Sequence, residues 1–284
     1  LIDTVGATGR QSKPALRSRT IGDVEPFADD AVIRRVAAEG VLIAAGGRAV
    51  LLQIAHPRVA AGVAAHSDFQ HQLVHRLRGT LWYMVGTVYG DSQEMQDVAD
   101  MVNAVHRGVV GPGYSANDPD LQVWVGATLY ESTVVLYERV MGPLPADQRG
   151  ELLREYGALA TALGCPADKW PADLETFRTY WDGMIATLEV SDQARDIARD
   201  VLYPVNIPMA LRPLAPLHRL VTLGLLPARI RAEYGLPWPP ARQRVLNAGF
   251  AVVRHTYPHV PVRVRHAGVR LYLRDLQRRR LAAR

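Results

Sequence analysis

Apolar residues along this chain recur at intervals of three and four, the period of helices with one buried face, and no stretch alternates as a strand would. The pattern predicts a first helix over Ala31–Glu39, with Asp29 or Asp30 as its N-cap. A second runs from Val41 to Ile54 and carries Gly46-Gly47 inside it. Mid-helix glycine costs about 1 kcal/mol against alanine, so the pair calls for a kink or a close neighbour. His56-Pro57 breaks the run, because proline pushes the preceding residue out of helical geometry. Small residues resume from Arg58 to Ala65, and a further helix spans Leu73–Val88. After a turn and cap at Tyr89-Gly90-Asp91-Ser92 comes a helix over Glu94–Val110, with Met95, Val98, Val102, Val105 and Val109 at core spacing and His106 on or beside that stripe.

Gly108 to Asp120 reads as a loop, and helices are predicted over Pro119–Val140, Pro145–Leu163, Leu174–Glu189 and Ser191–Val201. Tyr203 to Pro240 is rich in proline and short apolar pieces, and Val245–Val253 and Val269–Arg280 close the chain. The expectation is an all-α fold in one multi-helix domain over 1–284. Residues 1–22 form an arm, and 262–284 form a basic C-terminal helix.

Composition narrows the chemistry. The single cysteine, Cys165, excludes an intramolecular disulfide and any cysteine-rich zinc or iron–sulfur site. It fits a reducing, cytoplasmic setting, although an exported protein without disulfides looks the same. No basic, apolar secretory leader opens the sequence, and no run reaches the roughly 18 apolar residues of a spanning helix. The net charge of +5 is almost entirely arginine, concentrated at Arg263, Arg265, Arg270, Arg274, Arg278, Arg279, Arg280 and Arg284. Leucines interleave with these arginines, so the terminal helix is solvated, docked on the body or turned to a membrane surface. No nucleic-acid-binding motif accompanies them.

Among candidate sites, His106 stands out because a buried imidazole needs a partner for each ring nitrogen, and a metal is one such partner. The bland alternative is a hydrogen-bonded core histidine. His56 and His66, with Asp68, lack the i, i+4 spacing of a helical metal site. His71 and His75 have that spacing and are expected in solvent, and His255, His259 and His266 at the surface. Trp124, Tyr180 and Trp181 fit core positions, and Glu131 or Glu138 is expected to pair with Arg139 or Arg149. No nucleophile elbow and no phosphate loop is present, which removes hydrolase and NTPase readings.

Three segments in order resemble a known family. They are Gly46-Gly-Arg-Ala-Val-Leu-Leu-Gln-Ile-Ala-His-Pro57 with His66-Ser-Asp-Phe69; Arg76-Leu-Arg-Gly-Thr80 with Val88-Tyr-Gly90; and His106-Arg-Gly-Val-Val-Gly111 with Tyr114-Ser-Ala-Asn-Asp-Pro119 and Trp124-Val-Gly-Ala-Thr128. Together they resemble the DUF2236 family, the MpaB/rubber-oxygenase catalytic domain that includes the latex-clearing proteins. The likeness runs from about Asp30 to Met184 and weakly beyond.

What the resemblance implies is a helical fold holding one haem b between helices, with His106 as axial iron ligand. Arg76 and Thr80 fall on the family's distal helix. Arg76, Arg78 and Arg107 are the nearest cations for haem propionates, with Gln53, His56 and Trp124 as further pocket candidates and His56 as a distal hydrogen-bond donor. The distal lysine of the rubber oxygenases is replaced by Gly79, the arginine four residues after their axial histidine by Val110, and their proposed catalytic glutamate has no counterpart in Ala60–Ala65. Polyisoprene cleavage is therefore not carried over. The implied activity is oxidation of an apolar small molecule with dioxygen or peroxide. The alternative is non-catalytic haem binding for sensing or storage.

Overall fold

The computed structural model describes residues 25–66, 69–205 and 208–282, and nearly every predicted helical segment is a helix in it. In order these are α1 (Val32–Ala37), α2 (Gly46–Ala55), α3 (Pro57–His66), α4 (Phe69–Tyr89), α5 (Ser92–Gly108), α6 (Pro119–Met141), α7 (Ala146–Ala162), α8 (Leu174–Thr187), α9 (Asp192–Leu202), α10 (Ala215–Leu225), α11 (Ala228–Glu233), α12 (Pro240–Thr256), α13 (Val262–Arg265) and α14 (Ala267–Ala282). The only strands among the described residues, β1 (Val110–Gly111) and β2 (Tyr114–Ser115), form a small antiparallel hairpin inside the loop expected after α5. The predicted arm, 1–22, lies outside the described residues.

The apolar run of α6 is buried on several sides, as expected for a helix that others surround. Leu121, Val123, Trp124, Ala127, Tyr130, Val134, Leu136 and Val140 are all buried. α2, α7 and α12 pack around it. Tyr130 meets Phe177 edge to face, Phe177 stacks on Trp181, and Trp181 stacks on Trp124 at 5.5 Å between centroids. Trp124 and Trp181 are therefore core residues, while Tyr180 is half-buried.

The glycine pair resolves into two effects. Residues 40–45 form a 3-10 turn, so α2 begins at Gly46 and the single helix expected from Val41 is broken. At Gly47, a Cβ would stand 2.2 Å from Thr222 Oγ1 and 2.7 Å from His218 Cε1, so only glycine lets α10 cross this closely. Next to it, Arg48 is almost fully buried. Its Nε donates to the Leu225 carbonyl at 2.8 Å at the end of α10, and its guanidinium donates to Ser132 Oγ at 2.7 Å on α6. It also lies over the Trp181 ring. Burial lowers its pKa to about 10, against the attraction of Glu131, and burial raises the Glu131 carboxyl. The break at His56-Pro57 bends the α2 run from α3 by 107°. Apart from this bent pair, which meets the length and composition test for a span only jointly, no described helix is long and apolar enough to cross a membrane.

Two expectations are corrected by long-range contacts. The N-cap of α1 is Ala31, not an aspartate, and Glu155 of α7 reaches across to accept the Ile33 N–H at 2.8 Å. Asp29 instead pairs with Arg34. His266 is half-buried rather than superficial, and with Arg265 it engages the buried Glu39 at 3.3 Å and 2.5 Å. That cluster sits where α13 meets α14, and α14 packs on α4, so the basic terminal helix is docked. The expected ion pair on α6 is Glu138 with Arg149, at 3.5 Å.

The C-terminus of α7 organises the region around His106. The last four carbonyls of a helix lack partners within it. Here Leu159 O accepts from the Tyr83 hydroxyl of α4 at 2.6 Å, and Ala162 O from the Asn103 amide of α5 at 3.4 Å. Leu163 O accepts from the Gln122 amide of α6 at 2.8 Å. Backbone N–H groups of Leu163, Gly164 and Cys165 take up Ala160 and Thr161.

Two measurements check these contacts. Tyr83→Phe leaves the Leu159 carbonyl short of its donor and is expected to lower stability by about 1–2 kcal/mol in urea unfolding. Burial raises the Glu155 carboxyl from 4.5 to about 7. The folded chain then holds that proton more tightly than the unfolded one, so stability falls as pH rises through this interval. Glu155→Gln keeps the acceptor for Ile33 and is expected to exceed wild type at pH 8 by about 1 kcal/mol after solvent screening, the gap closing toward pH 4.5.

Candidate functional site

The inward stripe of α5 carries Met95, Val98, Ala99 and Asn103, all buried, and then His106 in the last turn of the helix. The stripe is rotated from the one the sequence predicts: Val105 faces out, 63 % exposed, and His106 turns in. The imidazole is half-buried, and its Nδ1 has no access to solvent. Asp91 and Glu94 form a capping box that fixes the start of α5 after the turn from α4, as the sequence indicates.

The register of α4 against α5 follows from one close contact. A Cβ on Gly86 would lie 2.7 Å from Val98 Cγ2, so the helices touch there. Both rise about 1.5 Å per residue. Counting back along α4 and forward along α5 from that contact, His106 comes level with Arg78 and Gly79. Gly79 lies two turns before Gly86 and on the same face of α4. Among the described residues nothing stands within 4 Å of a Cβ built at Gly79. Among the described residues, then, the α4–α5 seam is closed at Gly86, and none meets a side chain placed at Gly79, level with His106.

The remaining predicted residues divide between this seam and a second location. Thr80, next to Gly79, is exposed, as is Arg107 on the last turn of α5. Arg76 and Arg78 are on α4, Arg76 one turn before Thr80, but their side chains lie outside the described residues, as do those of His71 and His75. Gln53, His56 and Trp124 belong instead to the corner between α2 and α3. There the Trp124 indole donates to the carbonyls of Leu52 and Gln53, at 3.1 and 3.3 Å, closing the C-terminal end of α2. His56 caps α2, and its Nδ1 accepts the Arg58 N–H at 3.3 Å. Its pKa is lowered, first by burial and then by Arg58, with Asp118 opposing. A neutral ring accepting at Nδ1 carries its proton on Nε2.

Sequence reasoning missed a brace on the chain that follows His106. Gly62 of α3 lets Tyr114 of β2 and Val109 come close, at 3.2 and 3.6 Å from where a Cβ would be. The Tyr114 hydroxyl hydrogen-bonds His66 Nε2 at 3.2 Å. Arg58 donates to the Gly113 carbonyl at 2.7 Å and pairs with Asp118. α3, the hairpin and the start of α6 are thereby tied together just beyond the end of α5. The partners are about fifty residues apart in the chain, and no spacing rule connects them. Among the described residues no group of three or more His, Cys, Asp or Glu side chains is arranged to hold a metal ion.

Comparison with known proteins places the chain. The family described as "ER-bound oxygenase mpaB/B'/Rubber oxygenase, catalytic domain" matches residues 33–255, a span that includes both the α4–α5 seam and the α2–α3 corner. Relatives include the uncharacterized protein Rv2237 of Mycobacterium tuberculosis and the uncharacterized protein Mb2261 of Mycobacterium bovis. Each is 30 % identical over 239 residues, covering 80 % of this chain and 93 % of the relative. No solved structure matches. The chain belongs to the mpaB and rubber-oxygenase catalytic-domain family, an oxygenase family.

Proposed function

We propose that this protein is a haem-b-dependent oxygenase acting on an apolar small molecule, with His106 as the single axial ligand. The observation that carries the reading is a juxtaposition: an inward-turned imidazole on α5 stands level with a glycine on α4, where no described residue meets the position of a side chain. The donor set fits an iron porphyrin. A neutral imidazole nitrogen is a good haem-iron ligand, and a helix position fixes its direction. Arg107 is at the rim of the seam, and Arg76 and Arg78 are carried on the facing helix, so fixed positive charge is available for two propionates. When bound, haem iron supplies the chemistry of dioxygen or peroxide activation.

The chain's own residues supply binding, polarity and access. Thr80, on the turn after Arg76, offers a hydroxyl to a polar oxygen entering the seam. Gly79 places no side chain there, so the far side of the site is left to water, oxygen or substrate. In the rubber oxygenases that the sequence resembles, a lysine stands at this position. His56 presents an Nε2 proton at the α2–α3 corner, where a donor to substrate or oxygen would come from α2 rather than α4. The apolar faces of α3 and α4, with Val59, Val63 and Met84 half-buried against the core, suit a substrate without charge.

The reading is tested by the visible spectrum of the purified protein after addition of hemin. An intense Soret band that survives gel filtration in wild type and is lost or strongly shifted in His106→Ala is expected. A protein that takes up no hemin overturns the proposal. A six-coordinate band inert to peroxide replaces it with haem storage or sensing. Gly79→Leu separates binding from folding. Leucine is the better helix former, so apo stability should hold or rise by up to about 0.8 kcal/mol, while hemin uptake falls because the seam is filled. Undiminished uptake by Gly79→Leu would place the cofactor elsewhere.

A further inference from the structure

We infer that residues 209–217, the 3-10 turn and the first turn of α10, are a docking surface for an anionic lipid bilayer, distinct from the α4–α5 seam and independent of the oxygenase reading. Exposed large apolar residues elsewhere on the described protein occur singly or in pairs. Six of the fifteen large apolar residues most open to solvent among the described residues, however, fall within 203–217. Met209 is 79 % exposed, and Leu211, Leu214 and Leu217 follow at 47 %, 54 % and 56 %. Residues 209–214 form a 3-10 turn that runs straight into α10. Side chains three apart eclipse in such a turn, so Leu211 and Leu214 stand in line, and Leu217 extends that line. The other side of α10 is committed to the core through Val221, Thr222, Leu223 and Leu225.

The backbone and charge around this line suit a membrane interface. Pro204, Pro208, Pro213 and Pro216 carry no N–H, so fewer donors must be desolvated when the segment enters a lipid interface. The Arg219 guanidinium lies 4.8 Å from the centroid of the exposed Tyr203 ring, pairing the cation and aromatic that favour the headgroup level. Arg212 is exposed within the turn itself. No Asp or Glu occurs from Val201 to Ala232, and residues 201–284 hold fifteen arginines against two carboxylates, Glu233 and Asp275. Apolar side chains with cations and no nearby anion complement a negatively charged lipid surface.

Other covers fit less well. Residues 1–24 are themselves net basic, four Lys and Arg against two Asp, so their charge repels this part of the chain. A single line of side chains also falls short of the roughly 800 Å² per partner that a stable protein interface buries. The docked α14 contributes exposed Arg270, Arg274 and Arg278 to the same basic portion of the chain, but the apolar anchor is Met209 with Leu211, Leu214 and Leu217.

The test is flotation of the full-length chain with vesicles of phosphatidylcholine alone and with about a third phosphatidylserine. Wild type is expected to float with the anionic vesicles and to be partly released by salt. Leu211→Asp with Leu214→Asp should lower the bound fraction at least about tenfold. Val245→Asp with Val252→Asp on α12, the same charge change at exposed valines, should bind as wild type. Arg212→Gln should weaken binding about fivefold. All these positions are exposed, so the variants are expected to melt with wild type. Three results overturn the proposal: no flotation of wild type, equal loss in both aspartate pairs, or equal partition into phosphatidylcholine alone. A dimer in gel filtration that only the Leu211/Leu214 pair dissolves assigns the surface to a second copy instead.

Discussion

A helix that ends inside a protein must give its last carbonyls to something, and the end of α7 gives them to three neighbours at once. Tyr83, Asn103 and Gln122 each reach it from a different helix. Each leaves an acceptor stranded if removed, so α4, α5 and α6 are held to one fixed point by bonds that cannot be lost singly without penalty. Asn103 is three residues before His106, and Tyr83 three after Thr80. The two walls of the α4–α5 seam are therefore anchored about one turn from Thr80 and His106.

The same economy appears at Arg48. A charge with almost no solvent access is tolerated because its planar fork closes the end of α10, bonds Ser132 on α6 and lies over Trp181 on α8. Four helices meet on one side chain, and its partners specify how α2 and α10 cross at Gly47. The α7 terminus thus fixes the helices on either side of the seam, and Arg48 fixes the crossing at the centre.

The candidate groups are divided among separate elements as well. The α4–α5 seam offers an imidazole and space. The α2–α3 corner offers a neutral histidine, an indole already committed to backbone carbonyls and an Arg58–Asp118 pair that braces the hairpin beyond α5. Across the molecule, the proline-rich turn before α10 exposes its leucines because α10 turns its other side inward.

Helical period, caps and breakers were legible from the chain because they are local. The spans of α6, α7, α8 and α9, the capping box at Asp91 and the break at Pro57 all follow from residues within one or two turns of each other. His106 and the residues of α4 were legible as motifs for the same reason. Which way His106 turns was not. Val105 and His106 are adjacent on α5, and only packing against α4 and α7 decides that the imidazole goes in and the valine out. Likewise, Glu155 capping α1, His66 bonding Tyr114 and His266 meeting Glu39 join residues dozens to hundreds of positions apart. The sequence by itself determined the elements and the candidate chemistry, since these depend on near neighbours. Only the tertiary structure decided the rotation of α5, the gap at Gly79 and the exposure of the 203–217 leucines, since each depends on what another helix places alongside.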